Sequence, residues 1–165
     1  MTDGPEDVAG TFRLAMRRFA STVSVISALN DGARHAMTAT AVTSLSMAPP
    51  SLLVCVYRES RFHNALRDQD LFCVNVLHKD QAEASQVFSK PASSDDYTRF
   101  QWTDADGFCF LPDAQATIFC RNTLQVPFGS HTIFIGTVLK ADVRDSIAPL
   151  IFQNGQYGCH APLVG

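Results

Sequence analysis

Short runs of β-forming residues cut by turn signals run through this chain, and they limit what it can fold into. Val23 and Val25 alternate with Thr22 and Ser24 and lead to Asn30-Asp31-Gly32, a hairpin signal, after which the chain doubles back through residues 34–46. Further strands are expected at 72–77, about 114–120, 131–143 and 149–152, and Asn154-Gly155 turns the chain into a last short strand. Helices are few. Phe12, Ala15, Met16 and Phe19 fall at i, i+3, i+4 and i+7 with Arg13, Arg17 and Arg18 opposite, which predicts an amphipathic helix over 11–20 that must dock on something apolar. Ser60 caps a short helix that buries Phe62, Ala65 and Leu66, and a third helix, over 79–88, buries Ala84, Val87 and Phe88. Strands and helices do not alternate, so the pattern predicts an antiparallel barrel rather than a doubly wound sheet. No G-x-G-x-x-G occurs, so any nucleotide is held in some way other than a Rossmann turn.

With 165 residues, 46% of them hydrophobic, the chain is expected to form one domain with a real core, residues 1–10 being a flexible tail. A net charge of −3 and the lack of a Lys/Arg cluster exclude a nucleic-acid surface, which needs concentrated positive charge. No apolar run reaches the roughly 18 residues of a membrane span, and the acidic start MTDGPEDVAG is the reverse of a secretory leader. A soluble cytoplasmic protein is expected. Cys55, Cys73, Cys109, Cys120 and Cys159 are odd in number and set mostly among apolar neighbours, which reads as free buried thiols in a reducing compartment. There is no Cys-x-x-Cys, and no histidine pair has zinc-hydrolase spacing, so no metal is expected.

The stretch MTATAVTSLSMAPPSLLVCV, residues 37–56, sets Thr38, Ala39, Thr40, Ala41, Thr43, Ser44 and Ser46 before an apolar wall of Leu52, Leu53, Val54, Cys55 and Val56. Short side chains leave the backbone open, which suits a flat heteroaromatic ligand lying on an apolar floor with backbone N–H groups at its polar edge. A plain Ser/Thr-rich edge strand with a Pro-Pro turn fits the same pattern. Asn75 stands in the apolar run 72–77, and a buried amide left unpaired costs about 1–3 kcal/mol, so it must bond either a ligand or the backbone. Residues 89–99, SKPASSDDYTR, form the one clear loop: a lid, a crossing arm or an inert connection.

Read in order, FRLAMRRFASTVSVIS (12–27), MTATAVTSLSMAPPSLLVCV, FCVNVL (72–77), GSHTIFIGTV (129–138) and PLIFQNGQY (149–157) resemble the short-chain flavin reductase family from Phe12 to Tyr157. Its members reduce free FMN or FAD with NADH or NADPH and pass the reduced flavin to a partner monooxygenase. The resemblance implies a mainly β, antiparallel split β-barrel of Greek-key type with a few short flanking helices, dimerising as a homodimer. It implies that Met37, Thr38, Ala39, Thr40 and Ala41 lie beside the ring, with Thr43, Ser44 and Ser46 offering hydroxyls and Cys55, Val56, Asn75, Val76 and Phe88 around them. Ser60 and Arg61, where a strand runs into a helix start, are the phosphate candidates, though a simple cap and a surface arginine would look the same. His131 follows Pro127-Phe128-Gly129-Ser130 at a strand mouth, where a lone histidine can also be purely structural; the family histidine there faces the flavin, so the resemblance implies that His131 aligns the nicotinamide. Tyr157, Phe100 and Arg99 are outer candidates. The chain has Gly-Ser-His at 129–131 where the family has Gly-Asp-His, and Ala36 where it has Gly. The alternatives are a relative that keeps FMN tightly bound as an oxidase and a non-catalytic flavin- or haem-binding module.

Overall fold

The computed structural model describes residues 5–163. Helix α1 (Pro5–Met16) begins before residue 11 and ends ahead of Arg17. The apolar stripe extends backward through Val8, one turn before Phe12 and two before Met16, so residues 5–10 of the expected tail are helical; residues 1–4 lie outside the described residues. The barrel does not cover this stripe: Val8, Phe12, Met16 and, beyond the helix, Phe19 are exposed.

Next come β1 (Ser21–Thr22), β2 (Ser24–Asn30) and β3 (Ala33–Ala39). Asp31 and Gly32 both take positive φ, 51° and 76°, the two-residue turn whose twist matches its flanking strands. After β4 (Val42–Met47) and β5 (Pro50–Tyr57), α2 (Arg61–Leu66) is capped by Ser60, and β6 (Leu71–Val76) follows. The expected 79–88 helix is split into a 3₁₀ turn (Lys79–Gln81) and α3 (Ala82–Phe88), because the His78 side chain caps the turn through the Asp80 amide. The expected loop at 89–99 contains α4 (Ser94–Thr98), capped by Ser93 and Asp96. A hairpin of β7 (Thr103–Ala105) and β8 (Phe108–Phe110) turns at Asp106-Gly107, a signal like that at 31–32 but on strands too short to show alternation. Long β9 (Ala116–Phe128) and β10 (His131–Val143) precede β11 (Leu150–Gln153) and β12 (Gln156–Cys159).

Seven strands form one antiparallel sheet in the order β3-β2-β6-β9-β10-β5-β4. Ile26, Ala39, Val54, Phe72, Cys120 and Phe134 from six of these strands share one core with Val42 of the seventh, so the sheet is curled around it. Its edge strands β3 and β4 are joined by Thr40-Ala41 but share no ladder, which leaves the barrel split there. A second core, with Val23, Leu77, Ala84, Phe88, Leu111 and Leu150, lies under α3 and the arm that follows it.

The apolar run of β5 alternates instead of forming a continuous wall. Leu52, Val54 and Val56 are buried, while Leu53 and Cys55 face out. All five cysteines are free, and burial pushes the Cys109 and Cys120 thiols up to about 12, so they remain protonated and unreactive. Among the described residues no helix is long and apolar enough to cross a membrane.

Candidate active site

β2 occupies only one side of β3. On the other side the Ala36 amide donates to the Tyr97 hydroxyl at 2.8 Å, and strand alternation turns the Arg34 and Thr38 amides the same way. Tyr97 belongs to α4, so the arm 89–99 crosses this open edge. Aromatic rings pin it there: Phe88 packs on Tyr97, Phe100 and Trp102 with centroids 5.3, 5.4 and 5.5 Å away.

Beneath the arm is a cavity of about 940 Å³. One wall is Gly32 of the turn with β3 from Ala33 to Thr38; a second is Tyr57, Glu59 and the start of α2; the third is the arm from Ser89 to Ser94. Its chemistry is mixed. Among the described residues Arg61 and Lys90 line it without a salt bridge, outnumbering the one unpaired carboxylate, Glu59, which accepts from the Tyr57 hydroxyl at 2.9 Å, whereas Arg34 is held by both oxygens of Asp104 at 2.8–3.1 Å. Burial holds His35 below the ordinary imidazole range, which keeps it uncharged at neutral pH. An anionic, partly apolar molecule is what such walls accept.

Of the residues expected at a ligand, Met37, Thr38, Ser60, Arg61 and Phe88 line this cavity. Ala39, Thr40, Ala41, Thr43, Ser44 and Ser46 continue from its end along the split, where 40–41 and 43–44 are exposed. Not every hydroxyl is free. Thr38 Oγ1 donates to the Ser85 carbonyl at 2.7 Å, Ser46 Oγ accepts from the Ala48 amide, and Ser60 Oγ accepts from the His63 amide as an N-cap, so these three serve the fold.

His131 sits outside the cavity but next to its wall, its ring 5.6 Å from that of Tyr57. Cross-strand register puts Phe128, His131 and Tyr57 in one row, Val126, Ile133 and Cys55 in the next, and Leu124, Ile135, Leu53 and Thr43 in a third. All of these face outward, since Val54, Val56, Thr132 and Phe134 between them are buried. His131 Nδ1 is 2.9 Å from Ser130 Oγ, which takes the place that the resemblance gives to a carboxylate.

The remaining candidates lie elsewhere around the site. Val56 is fully buried because alternation turns it into the core while Cys55 faces out. Asn75 is 0% exposed: its Nδ2 donates to the Val25 carbonyl and Ser27 Oγ, and its Oδ1 accepts from the Leu111 amide, all at 2.9 Å. These three bonds satisfy the amide within the protein. Val76 packs against the barrel core. Phe100 packs tilted on Phe88 and, with Arg99 and Arg144, lines a separate depression, where Arg99 is paired with Glu83 and Asp96. Tyr157 bonds Ser85 Oγ at 2.8 Å and packs on Phe152. Conversely, Arg34, Tyr57, Lys90 and Tyr97 line the cavity without having been singled out. Only the length of the 89–99 segment hinted at the last two.

Residues 16–159 match the flavin reductase like domain. The chain belongs to that family. A reductase component of an FADH(2)-dependent resorcinol hydroxylase from Rhizobium sp. (strain MTP-10005) is 44% identical over 162 residues, 96% of this chain and 90% of that protein. The solved structure of the styrene monooxygenase flavin reductase from Pseudomonas putida S12 superposes with a TM-score of 0.85 at 30% identity, covering 93% of this chain and 99% of the other. An NADH:FAD oxidoreductase from Streptomyces globisporus C-1027, solved in complex with NAD and FAD fragments, has a TM-score of 0.87 at 27% identity and covers 98% of each chain. For a flavin reductase, the exposed backbone at 40–44, the outward Cys55 face and the cationic cavity beside them fit a flat ring with an anionic tail.

Asn75→Ala should be a stability variant only. Stranding the Leu111 amide and the Val25 carbonyl, at about 1–3 kcal/mol for each buried group, should lower the urea unfolding free energy by at least about 2 kcal/mol. Flavin affinity of the folded protein should be unchanged; unchanged stability with lost flavin affinity would return Asn75 to the binding site.

Proposed function

We propose that this flavin reductase takes hydride from NADH or NADPH, delivers it to FMN or FAD, and releases the reduced flavin to a partner monooxygenase. The observation that carries the reading is the open edge of β3 running into the exposed segment 40–44, with a cationic cavity at one end and His131 on the adjoining face. When bound, the flavin supplies the hydride acceptor; the protein's task is placement. The amides of Thr38, Thr40 and Ala41 hold the polar edge of the ring, where negative charge develops on reduction. Thr43 and Cys55 lie beside the ring. Arg61 holds the phosphate. His131, oriented through Nδ1 by Ser130, aligns the nicotinamide over the ring and so lowers the barrier by positioning alone. The relatives named as reductase components of monooxygenase systems support a monooxygenase as recipient, and five free thiols suit a reducing cytoplasm.

The active unit is a homodimer. A sheet with one face on its core should turn a polar face to water, yet the outward rows of β9, β10 and β5 carry Leu124, Val126, Phe128, Ile133, Ile135 and Leu53, with Phe128 81% exposed. Covering such side chains gains about 1.5–3 kcal/mol each on full burial, and a second copy laid over this face also closes the flavin site around Cys55 and His131.

Flavin behaves as a substrate. It should be lost on desalting, and NADH oxidation should saturate with added flavin; retained stoichiometric yellow colour with no rate gain would instead indicate a tightly bound oxidase. His131→Ala should raise the KM for the nicotinamide or slow flavin reduction by roughly 10- to 100-fold, with a much smaller change in flavin affinity. Wild-type kinetics in that variant would make His131 structural.

Light scattering should give twice the 18.0 kDa of one chain, and Leu124→Asp should shift the particle to a single chain. A parent protein of 18.0 kDa at micromolar concentration would contradict the dimer.

A further inference from the structure

We infer that Tyr57 is a positioning residue for hydride transfer, its ring holding the His131 imidazole in the orientation that the nicotinamide needs; this rests on the flavin reductase reading above, in which His131 does the aligning. Tyr57 is the last residue of β5 and His131 the first of β10, and the register sets them directly opposite each other. The rung beyond them is closed by the Arg58 amide, which donates to the Ser130 carbonyl at 3.0 Å. Hydrogen-bonded and non-hydrogen-bonded pairs alternate along an antiparallel ladder, so Tyr57 and His131 form a non-hydrogen-bonded pair, the kind whose side chains stand closest. Their rings accordingly meet, with centroids 5.6 Å apart and planes tilted by 55°, a geometry in the range of attractive ring contacts.

Both side chains are exposed, so packing in the barrel core does not set their rotamers. Val54 and Val56 are the residues of β5 that fill that core beside them. The pair is instead tethered at its two outer ends: the Tyr57 hydroxyl donates to Glu59 Oε2 at 2.9 Å, and His131 Nδ1 lies 2.9 Å from Ser130 Oγ. One hydrogen bond from a neighbouring residue leaves the imidazole free to swing about it. The anchored tyrosine ring removes that freedom. With Nδ1 engaged by Ser130, Nε2 is the nitrogen left to meet the nicotinamide, and Tyr57 sets the plane in which it is presented. Tyr57 also lines the cavity, so a plain wall contact with bound flavin is the competing role that a test must separate from this one.

The test is a double-mutant cycle on the full chain, read as the second-order rate constant for reduction of bound FMN by NADH, with FMN affinity titrated separately. Tyr57→Leu should slow reduction by about 2- to 10-fold, the scale of one aromatic pair, and Tyr57→Phe, which keeps the ring, should recover the rate to within about 2-fold of the parent. In a His131→Ala background Tyr57→Leu should slow it no further, because the residue it acts through is gone. The imidazole proton resonances that vanish in His131→Ala should shift in Tyr57→Leu, through loss of the tyrosine ring current, and far less in Tyr57→Phe. Losses that multiply in the double variant overturn the inference, as does a Tyr57→Phe protein as slow as Tyr57→Leu. So does a Tyr57→Leu protein that reduces flavin at the parent rate but binds it more weakly, since Tyr57 would then be only a wall of the cavity. Parent kinetics in His131→Ala overturn the aligning role of His131 and this inference together; a slow His131→Ala beside a parent-like Tyr57→Leu overturns this inference alone.

Discussion

A β-strand has hydrogen-bonding groups on two sides, and in β3 only one side is taken up by a neighbouring strand. The two edge strands of the seven-stranded sheet, β3 and β4, are consecutive in the chain, but no ladder joins them. Thr40 and Ala41 connect the two edges, and their short side chains leave the main chain accessible. An open edge of this kind invites pairing with another chain. Here the arm 89–99 crosses it instead, and the Tyr97 hydroxyl takes the Ala36 amide while leaving space beneath. The cavity is therefore a consequence of how the edge is protected. Had the arm laid a strand on β3, the backbone groups facing the cavity would have been spent on the ladder.

The second constraint is a sheet that is apolar on both faces. Val54, Val56 and Phe134 fill the barrel, while Leu53, Ile133, Ile135, Leu124 and Val126 stand on its outside. Burial on the inside fixes the register, because a one-residue slip would exchange the two sets. That same register sets His131 opposite Tyr57, and Tyr57 in turn lines the cavity. Core packing, the docking face and the alignment of the candidate catalytic histidine thus follow from one strand pairing. A substitution that loosened the barrel would disturb all three together.

Much of this was legible in the sequence. Asp-Gly and Asn-Gly turns placed the hairpins at 31–32 and 154–155, Ser60 marked the start of α2, and the lack of strand–helix alternation gave the architecture. What stayed hidden depends on contacts distant in the chain. Asn75, a polar group in an apolar strand, needed partners that the sequence left open between a ligand and the backbone; Val25, Ser27 and Leu111 come from elsewhere in the chain. Val56 and Cys55 have equal apolar character, and only the pleat decides which one enters the core. Lys90, Tyr97 and Arg34 carry no local motif, so their meeting around one cavity required the path of the arm.

The central claim is that the flavin occupies the open edge of β3 and the space beneath the arm. Amide hydrogen exchange with and without FAD tests it most directly, since each amide reports its own protection. Bound FAD should slow exchange at Thr38, Thr40 and Ala41 and along 89–98, with the β6–β9 ladder at the centre of the sheet unchanged. Protection confined to the depression around Arg99 and Arg144, with residues 34–41 exchanging as before, would contradict the account.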